Sequence, residues 1–85
     1  MSEVSHQEKF PVARVLDARG LRCPLPLLRA KQALIALAVG EVLEVLATDP
    51  GALRDIPAWC RLSGQQLLAQ SEGAETLRFL IQRAL

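Results

Sequence analysis

A segment rich in leucine and alanine most constrains how this chain can fold. It runs from Pro24 to about Ala38 (PLPLLRAKQALIALA), and leucine and alanine are among the best helix formers. Shorter segments on either side, 13–18 (ARVLDA) and 41–48 (EVLEVLAT), have the apolar content and alternation of β-strands. Gly40 is expected to end the helix. The pattern therefore predicts a right-handed β-α-β unit with two parallel strands. The apolar positions of the helix follow the spacing of one buried stripe: Leu27, Ala30, Leu34, Leu37 and Ala38.

The remainder of the chain predicts a second helix and a hairpin. Asp49 and Pro50 are typical of a helix start, with an N-cap followed by proline in the first turn. Pro57 lies inside the helical pattern, and Asp55 could cap the chain again, so we expect a kink or a short turn there. Gly64 should end this helix. Two alternating segments, 66–72 and 75–82, flank Gly73-Ala74 and predict a β-hairpin.

The predicted order is β-α-β-α-β-β, which favours an α+β fold. We expect a two-layer α/β sandwich, with two helices on one face of a mixed four-stranded sheet. With 85 residues the chain forms a single domain, which we place at 12–85 after a flexible N-terminal tail at 1–11. So small a core leaves no room for a large internal cavity, and we expect any chemistry to take place at the surface.

The charge of the chain is small but unevenly placed. A net charge of +1 argues against bulk attraction to nucleic acid or membranes. The N-terminal residues lack the apolar run of a signal peptide, and no segment is long enough to span a membrane. We therefore expect a cytoplasmic location, where thiols stay reduced. Between residues 14 and 31, however, Asp17 is the one acidic residue among five basic ones. The basic residues are Arg14, Arg19, Arg22, Arg29 and Lys31. Such a cluster can be a solvated face or a docking surface.

Cys23 is an unusual residue for the start of a helix. In the stretch GLRCPLP the turn at Gly20 predicts Cys23 as the N-cap, with Pro24 and Pro26 in the first turn. Ser, Thr or Asp would cap the helix better, and Pro26 removes an amide that a cap would use. The helix N-terminus alone should lower the pKa of this thiol by up to about one unit. Arg22 and Arg19 add positive potential, which favours a moderately activated nucleophile. An inert buried cysteine is the alternative.

The stretch LDARGLRCPLPLLRAKQAL resembles the motif region of the TusA/SirA-like sulfur-carrier family, whose Cys-Pro-x-Pro begins the first helix. The match continues through GEVLEVLATDPGALRDIPAWC, so it runs from Leu16 to about Cys60. The resemblance implies two helices on a four-stranded mixed sheet. It also implies that Cys23 accepts sulfane sulfur from a cysteine desulfurase, carries it as a persulfide and passes it to an acceptor protein.

The resemblance leaves the pathway open. The best-known route in the family leads through relay proteins to 2-thiolation of the tRNA wobble uridine, so tRNA is an indirect partner. Other members serve molybdenum-cofactor synthesis or sulfur oxidation. Many relatives have Gly-His or Gly-Asn where this chain has Gly64-Gln65, which leaves its branch undecided. Whether such a carrier is an enzyme in its own right, and which oligomer it forms, are also undecided.

The candidate site centres on Cys23 as the persulfide-bearing residue. Asp17 and Asp55 are most simply a turn and a cap residue, although Asp17 is close to Cys23 in sequence. We expect neither a cofactor nor a metal, because Cys23, Cys60 and the distant His6 are too few ligands for a zinc site. Motif support is expected from Gly20, Arg22, Pro24, Pro26 and Asp17, and docking of acidic partner surfaces from Arg19, Arg29 and Lys31.

Two alternatives to a sulfur carrier remain at this point. A regulatory or RNA-binding module would need a basic surface, and the near-zero net charge and few aromatic residues weigh against it. A thiol redox protein would use Cys23 and Cys60 as a pair, which requires the two sulfurs to reach disulfide distance. Otherwise Cys60, beside Trp59 on the second helix, is a packed core thiol.

Overall fold

Four strands and two helices follow one another in the predicted order in the computed structural model, which describes residues 10–85. The predicted α+β fold is thereby confirmed. Most of the expected tail, including His6, lies outside the described residues. The elements are β1 (Arg14–Ala18), α1 (Leu25–Ile35), β2 (Val42–Ala47), α2 (Ala52–Ser63), β3 (Gln66–Glu72) and β4 (Leu77–Gln82).

The four strands form one mixed sheet in the order β1-β2-β4-β3. β1 pairs parallel with β2, as expected for strands joined by a helical crossover. β4 pairs antiparallel with both β2 and β3. The predicted hairpin of the last two strands is confirmed, although β4 begins at Leu77 rather than at residue 75. An irregularity between Leu67 and Ala69 interrupts the regular register of β3 with β4.

The core lies between the helices and one face of the sheet. Alternation along β2 buries Leu43, Val45 and Ala47 completely, whereas Glu44 and Leu46 stay half-buried. Val45 pairs with Phe79 on β4, which is also fully buried. Because buried residues of both helices belong to the same cluster as this face, both helices pack on one side. The helix residues of that cluster are Ala30, Ala33, Leu34, Ala52, Ile56 and Cys60.

The first helix differs from the prediction at both ends. Its N-cap is Pro24, not Cys23, because the Leu25 amide donates to the Arg22 carbonyl at 2.8 Å and closes a turn first. Cys23 therefore lies in the turn before the helix. At the other end α1 stops at Ile35, since the Ala36 amide already bonds three residues back, to Ala33. Gly40, with φ of +95°, belongs to the following turn.

The second helix is continuous through Pro57, so the expected kink or new start there is wrong. Proline removes only one hydrogen bond, to the carbonyl of Leu53, while Ile56 and Cys60 remain buried in the core. Asp55 does not recap the chain. The helix is capped by Gly51 rather than Asp49, whose carboxylate instead accepts the Gly51 amide at 2.9 Å. Gly64 ends it as predicted, with φ of +87°.

Candidate functional site

Cys23 lies beyond the carboxyl ends of the two parallel strands. Ala18, the last residue of β1, pairs with Ala47, the last residue of β2, so the loops that follow these strands leave the sheet at one edge. The amide of Gly20 donates to Thr48 Oγ1 at 2.9 Å and joins the two loops. Gly20 has φ of +83°, a conformation that favours glycine. The topology thus places Cys23 beside the start of α2.

The side chain of Cys23 contacts a carboxylate of α2. Its Sγ donates to Asp55 Oδ2 at a separation of 2.8 Å, across 32 positions of sequence. Cys23 is exposed to solvent, whereas the Asp55 side chain is only 19% exposed. The other oxygen of Asp55 accepts from Arg54 Nε at 3.2 Å. Cysteine, carboxylate and guanidinium therefore form one polar cluster at the surface.

Gly51 makes room for the thiol. A Cβ placed on this glycine would lie 2.9 Å from Cys23 Cβ and 3.2 Å from its Sγ. It would also lie 2.8 Å from Asp49 Oδ2. The backbone of Gly51 is helical, with φ of −59°, so conformation does not require glycine at this position. The close approach of the cysteine does.

The electrostatics of Cys23 correct the expectation of an activated thiolate. The hydrogen bond to Asp55 is the main cause that raises the pKa of Cys23, followed by desolvation and the Asp55 charge. Arg54 opposes this shift, and Asp49 adds to it. The same contact with Cys23 lowers the pKa of Asp55. The contact with a carboxylate therefore raises the pKa of Cys23, whereas the sequence predicts that the helix N-terminus and Arg22 lower it.

The predicted docking residues fall into different environments. Arg19 is engaged by Asp17 through two hydrogen bonds, at 2.8 and 2.9 Å, which lower the pKa of Asp17 to about 2. Arg22 and Arg29 are exposed. Lys31 is half-buried, with its Nζ 5.9 Å from the centre of the Trp59 ring. Of these four residues, Arg22 and Arg29 are thus the exposed ones that neither Asp17 nor Trp59 engages.

The two prolines of the motif have different surroundings. Pro24 is exposed and follows a cis peptide bond from Cys23. Pro26 is fully buried and anchors the first turn of α1 in the core. The motif therefore fixes the start of α1 while Cys23 itself remains outside the core.

Cys60 differs from Cys23 in burial and lies far from it in the fold. It is 3% exposed within the hydrophobic core, and burial raises its pKa to about 11. It lies nine residues along the chain from Gly51, which is about 13 Å along a helix, whereas a disulfide needs Cα atoms within about 7 Å. Both cysteines are free. The arrangement argues against the redox-pair alternative.

The described residues form a cavity away from Cys23, but neither a group of metal ligands nor a membrane-spanning helix. A cavity of about 300 Å³ opens at the opposite edge of the sheet, between Phe10, Ala13, Glu41 and Gln82. Residues 10–85 contain no group of three or more His, Cys, Asp or Glu side chains that could hold a metal ion. Within the same range no helix is long and apolar enough to cross a membrane.

The sequence identifies the thiol but not its two closest partners. It indicates a cap role for Asp55 and gives no signal for Gly51. Both contacts arise from packing α2 beside a loop about thirty positions earlier, for which a local pattern gives no signal.

Comparison with known proteins gives a consistent result. Residues 14–83 match the family model described as sulfurtransferase TusA. The sulfur carrier protein TusA of Allochromatium vinosum is 46% identical over 69 residues, covering 81% of this chain and 91% of that protein. The namesake protein of Pseudomonas putida GB-1 is 46% identical over 74 residues, covering 87% and 92%. The crystal structure of a SirA-like protein from Desulfitobacterium hafniense superposes with a TM-score of 0.73 at 26% identity, covering 85% and 99%.

Proposed function

We propose, from the premise that this chain belongs to the TusA sulfurtransferase family, that Cys23 carries sulfane sulfur as a persulfide between proteins. One observation carries the proposal for this residue. Cys23 is an exposed, free cysteine in the turn before α1, whereas Cys60 is buried in the core. Of the two thiols in the chain, Cys23 is the one that another protein can reach.

The transfer exchanges one S–S bond for another without net oxidation. Cys23 Sγ attacks the outer sulfur of a persulfide on the donor, the donor's S–S bond breaks, and the donor thiolate leaves. The proton from Cys23 ends on that thiolate, so a thiol and a persulfide become a persulfide and a thiol. Delivery to the acceptor repeats the exchange with Cys23 as the leaving group. The chain needs no cofactor for this chemistry.

The donor we propose is a cysteine desulfurase, which forms a persulfide from free cysteine. Arg22 and Arg29 are exposed close to Cys23 in sequence, and Lys31 follows on the same helix. These residues would steer an acidic donor surface toward the thiol. Arg19 would contribute less, because Asp17 already occupies its guanidinium.

For the final destination we propose a relay protein leading to 2-thiolation of the tRNA wobble uridine, in the cytoplasm. What supports this route is that it is the best-known one in the family that the residues around Cys23 resemble. Mass spectrometry of tRNA nucleosides from a strain lacking the gene should show loss of the 2-thiolated uridine. Unchanged thiolation, with a defect in molybdenum cofactor or sulfur oxidation instead, would contradict this route.

The carrier role is tested by loading the purified chain. Incubation with a cysteine desulfurase and cysteine should add one sulfur atom, seen by intact mass spectrometry and removed by a reducing agent. Cys23→Ser should accept no sulfur, and the matched variant Cys60→Ala should load as the natural chain does. Sulfur on the Cys23→Ser variant would show that another residue is the carrier.

A further inference from the structure

We propose that Asp55 sets the charge state of the carrier cysteine, holding the unloaded Cys23 as a thiol that reacts slowly until a donor has docked. The biological meaning of this inference rests on the proposed carrier function. The contact between Asp55 and Cys23 does not depend on that function. Asp55 touches the reacting sulfur, and none of the roles expected from the sequence included this contact.

The geometry selects the thiol over the thiolate. Cys23 Sγ has a proton to donate to Asp55 Oδ2 at 2.8 Å, whereas a thiolate would place two negative charges at that distance. The Asp55 side chain is 19% exposed, so water screens its carboxylate only in part. The other charged groups that act on Cys23 are Arg54, on the same helix, and Asp49, in the loop before it.

Arg54 is placed to counter this effect. Its Nε donates to Asp55 Oδ1 at 3.2 Å, and its side chain is 77% exposed. A guanidinium in this position partly neutralises the carboxylate and favours an anionic sulfur nearby. Two oppositely charged neighbours on one turn of α2 therefore act on Cys23 in opposite directions, and the contact with Asp55 dominates in the unloaded chain.

Sulfur acceptance must then move a proton out of this contact. As Cys23 Sγ bonds to the outer sulfur of the donor persulfide, the donor's S–S bond breaks. The proton of Cys23 passes through Asp55 to the departing donor thiolate, which becomes a thiol. A docked donor places this departing thiolate next to the sulfur, where it accepts the proton. A small neutral reagent in solution supplies no such proton acceptor. Asp55 thereby favours the docked donor over incidental reagents, and no oxidant or reductant is consumed.

The test measures alkylation of Cys23 by iodoacetamide as a function of pH, followed by peptide mass spectrometry. Asp55→Asn keeps the shape but removes the charge, so its alkylation should be several-fold faster at neutral pH and reach half-maximum at lower pH. Asp49→Asn removes a charge without direct contact to the sulfur and should change the profile less. Buried Cys60 serves as an internal control for unfolding in every sample.

A second variant gives the opposite sign without disturbing the packing. Arg54→Gln removes an exposed cation, so alkylation of Cys23 should become slower and its midpoint should move to higher pH. An Asp55→Asn profile identical to that of the natural chain, or an Arg54→Gln profile shifted to lower pH, would overturn the assignment of Asp55. An equal shift in Asp49→Asn and Asp55→Asn would do the same, because the effect would then not depend on the contact.

The carrier function and the role of Asp55 can fail separately. Alkylation needs no donor, so it tests Asp55 even if the chain carries no sulfur. A natural chain that fails to accept sulfur from a desulfurase would contradict the proposed function alone. If both hold, Asp55→Asn should lose selectivity, seen as a higher ratio of alkylation rate to desulfurase-dependent loading rate than in the natural chain.

Discussion

At the scale of single residues, Gly51 controls how closely the thiol approaches α2. Its missing side chain leaves space for Cys23 Cβ and Sγ, which a Cβ would meet at 2.9 and 3.2 Å. Real Cβ contacts this short force a neighbour to move. The absence of a side chain at Gly51 therefore allows Cys23 to lie against Asp55, independently of any charge.

Replacing Gly51 by alanine should both destabilise the chain and free the thiol. Overpacking of this kind costs about 1–3 kcal/mol, so urea denaturation should show a lower free energy of unfolding. Cys23 should also be alkylated faster at neutral pH, because displacement weakens its hydrogen bond to Asp55. Gly40→Ala is the matched control, since its φ of +95° makes alanine strained while its Cβ would meet nothing within 4 Å. Equal alkylation rates in Gly51→Ala and the natural chain would contradict this steric role.

At the scale of elements, α2 combines a polar start with a buried middle. Its first turn carries Arg54 and Asp55 beside Cys23, and its later turns bury Ile56 and Cys60 in the core. The burial of Cys60 explains its pKa of about 11, compared with an ordinary value of 9.0. This thiol contributes nothing to the proposed chemistry but makes the fold sensitive to alkali.

The titration of Cys60 predicts a loss of stability at high pH. A raised pKa means that the folded state prefers the neutral thiol, so its contribution is complete below about pH 9 and is lost as pH rises toward about 11. The loss should be on the order of 2 kcal/mol. Urea denaturation across this pH range measures it. Cys60→Ala, although less stable throughout because of a cavity, should show a flatter pH dependence, and an equally steep one would contradict the explanation.

The elements themselves were largely predictable, whereas their ends were not. Alternation along β2 appears in the structure as predicted. The apolar stripe of α1 appears only in part, because Ala30 and Leu34 are buried whereas Ala38 is exposed and follows the end of the helix. The start of α1 was displaced by the turn that Leu25 closes with Arg22. The predicted kink or new start at Pro57 is wrong, because burial of Ile56 and Cys60 stabilises α2 despite the missing hydrogen bond. Tertiary packing decided each of these cases.

The sequence identifies Cys23 as the candidate nucleophile but does not predict its electrostatics. Cys23 stands in a motif that local sequence can identify. The sign of its pKa shift depends on Asp55, which is 32 positions away and reaches the sulfur only when α2 packs on the sheet. The lower pKa of Cys23 that Arg22, the nearest charge in sequence, predicts is therefore wrong.

At the scale of the whole molecule, the charges are balanced in number but not in place. A net charge of +1 conceals exposed Arg22 and Arg29 near the thiol. Arg61 is also exposed but lies in the last turn of α2, away from the end that meets Cys23. The same charge change can thus be made close to the thiol or far from it.

Charge reversal at Arg29 should slow loading by an acidic desulfurase, because it weakens long-range attraction before contact. We expect a several-fold lower rate at low salt, with the difference shrinking as salt screens it. Arg61→Glu changes the net charge equally, from +1 to −1, and should have a smaller effect on the rate. Equal slowing by both substitutions would show that net charge, rather than the surface around Cys23, governs encounter.

The irregularity in β3 changes the shape of one edge of the sheet. Within residues 10–85, β1 and β3 are the outer strands and offer unpaired backbone groups to other chains. Leu67 pairs with Ile81 and Ala69 with Leu80, which leaves Leu68 as an extra residue that bends β3. A bent border is a poor template for the growth of intermolecular sheets. We therefore expect the edge at β3 to be a less favourable site for pairing with another copy of the chain than a regular edge strand would be.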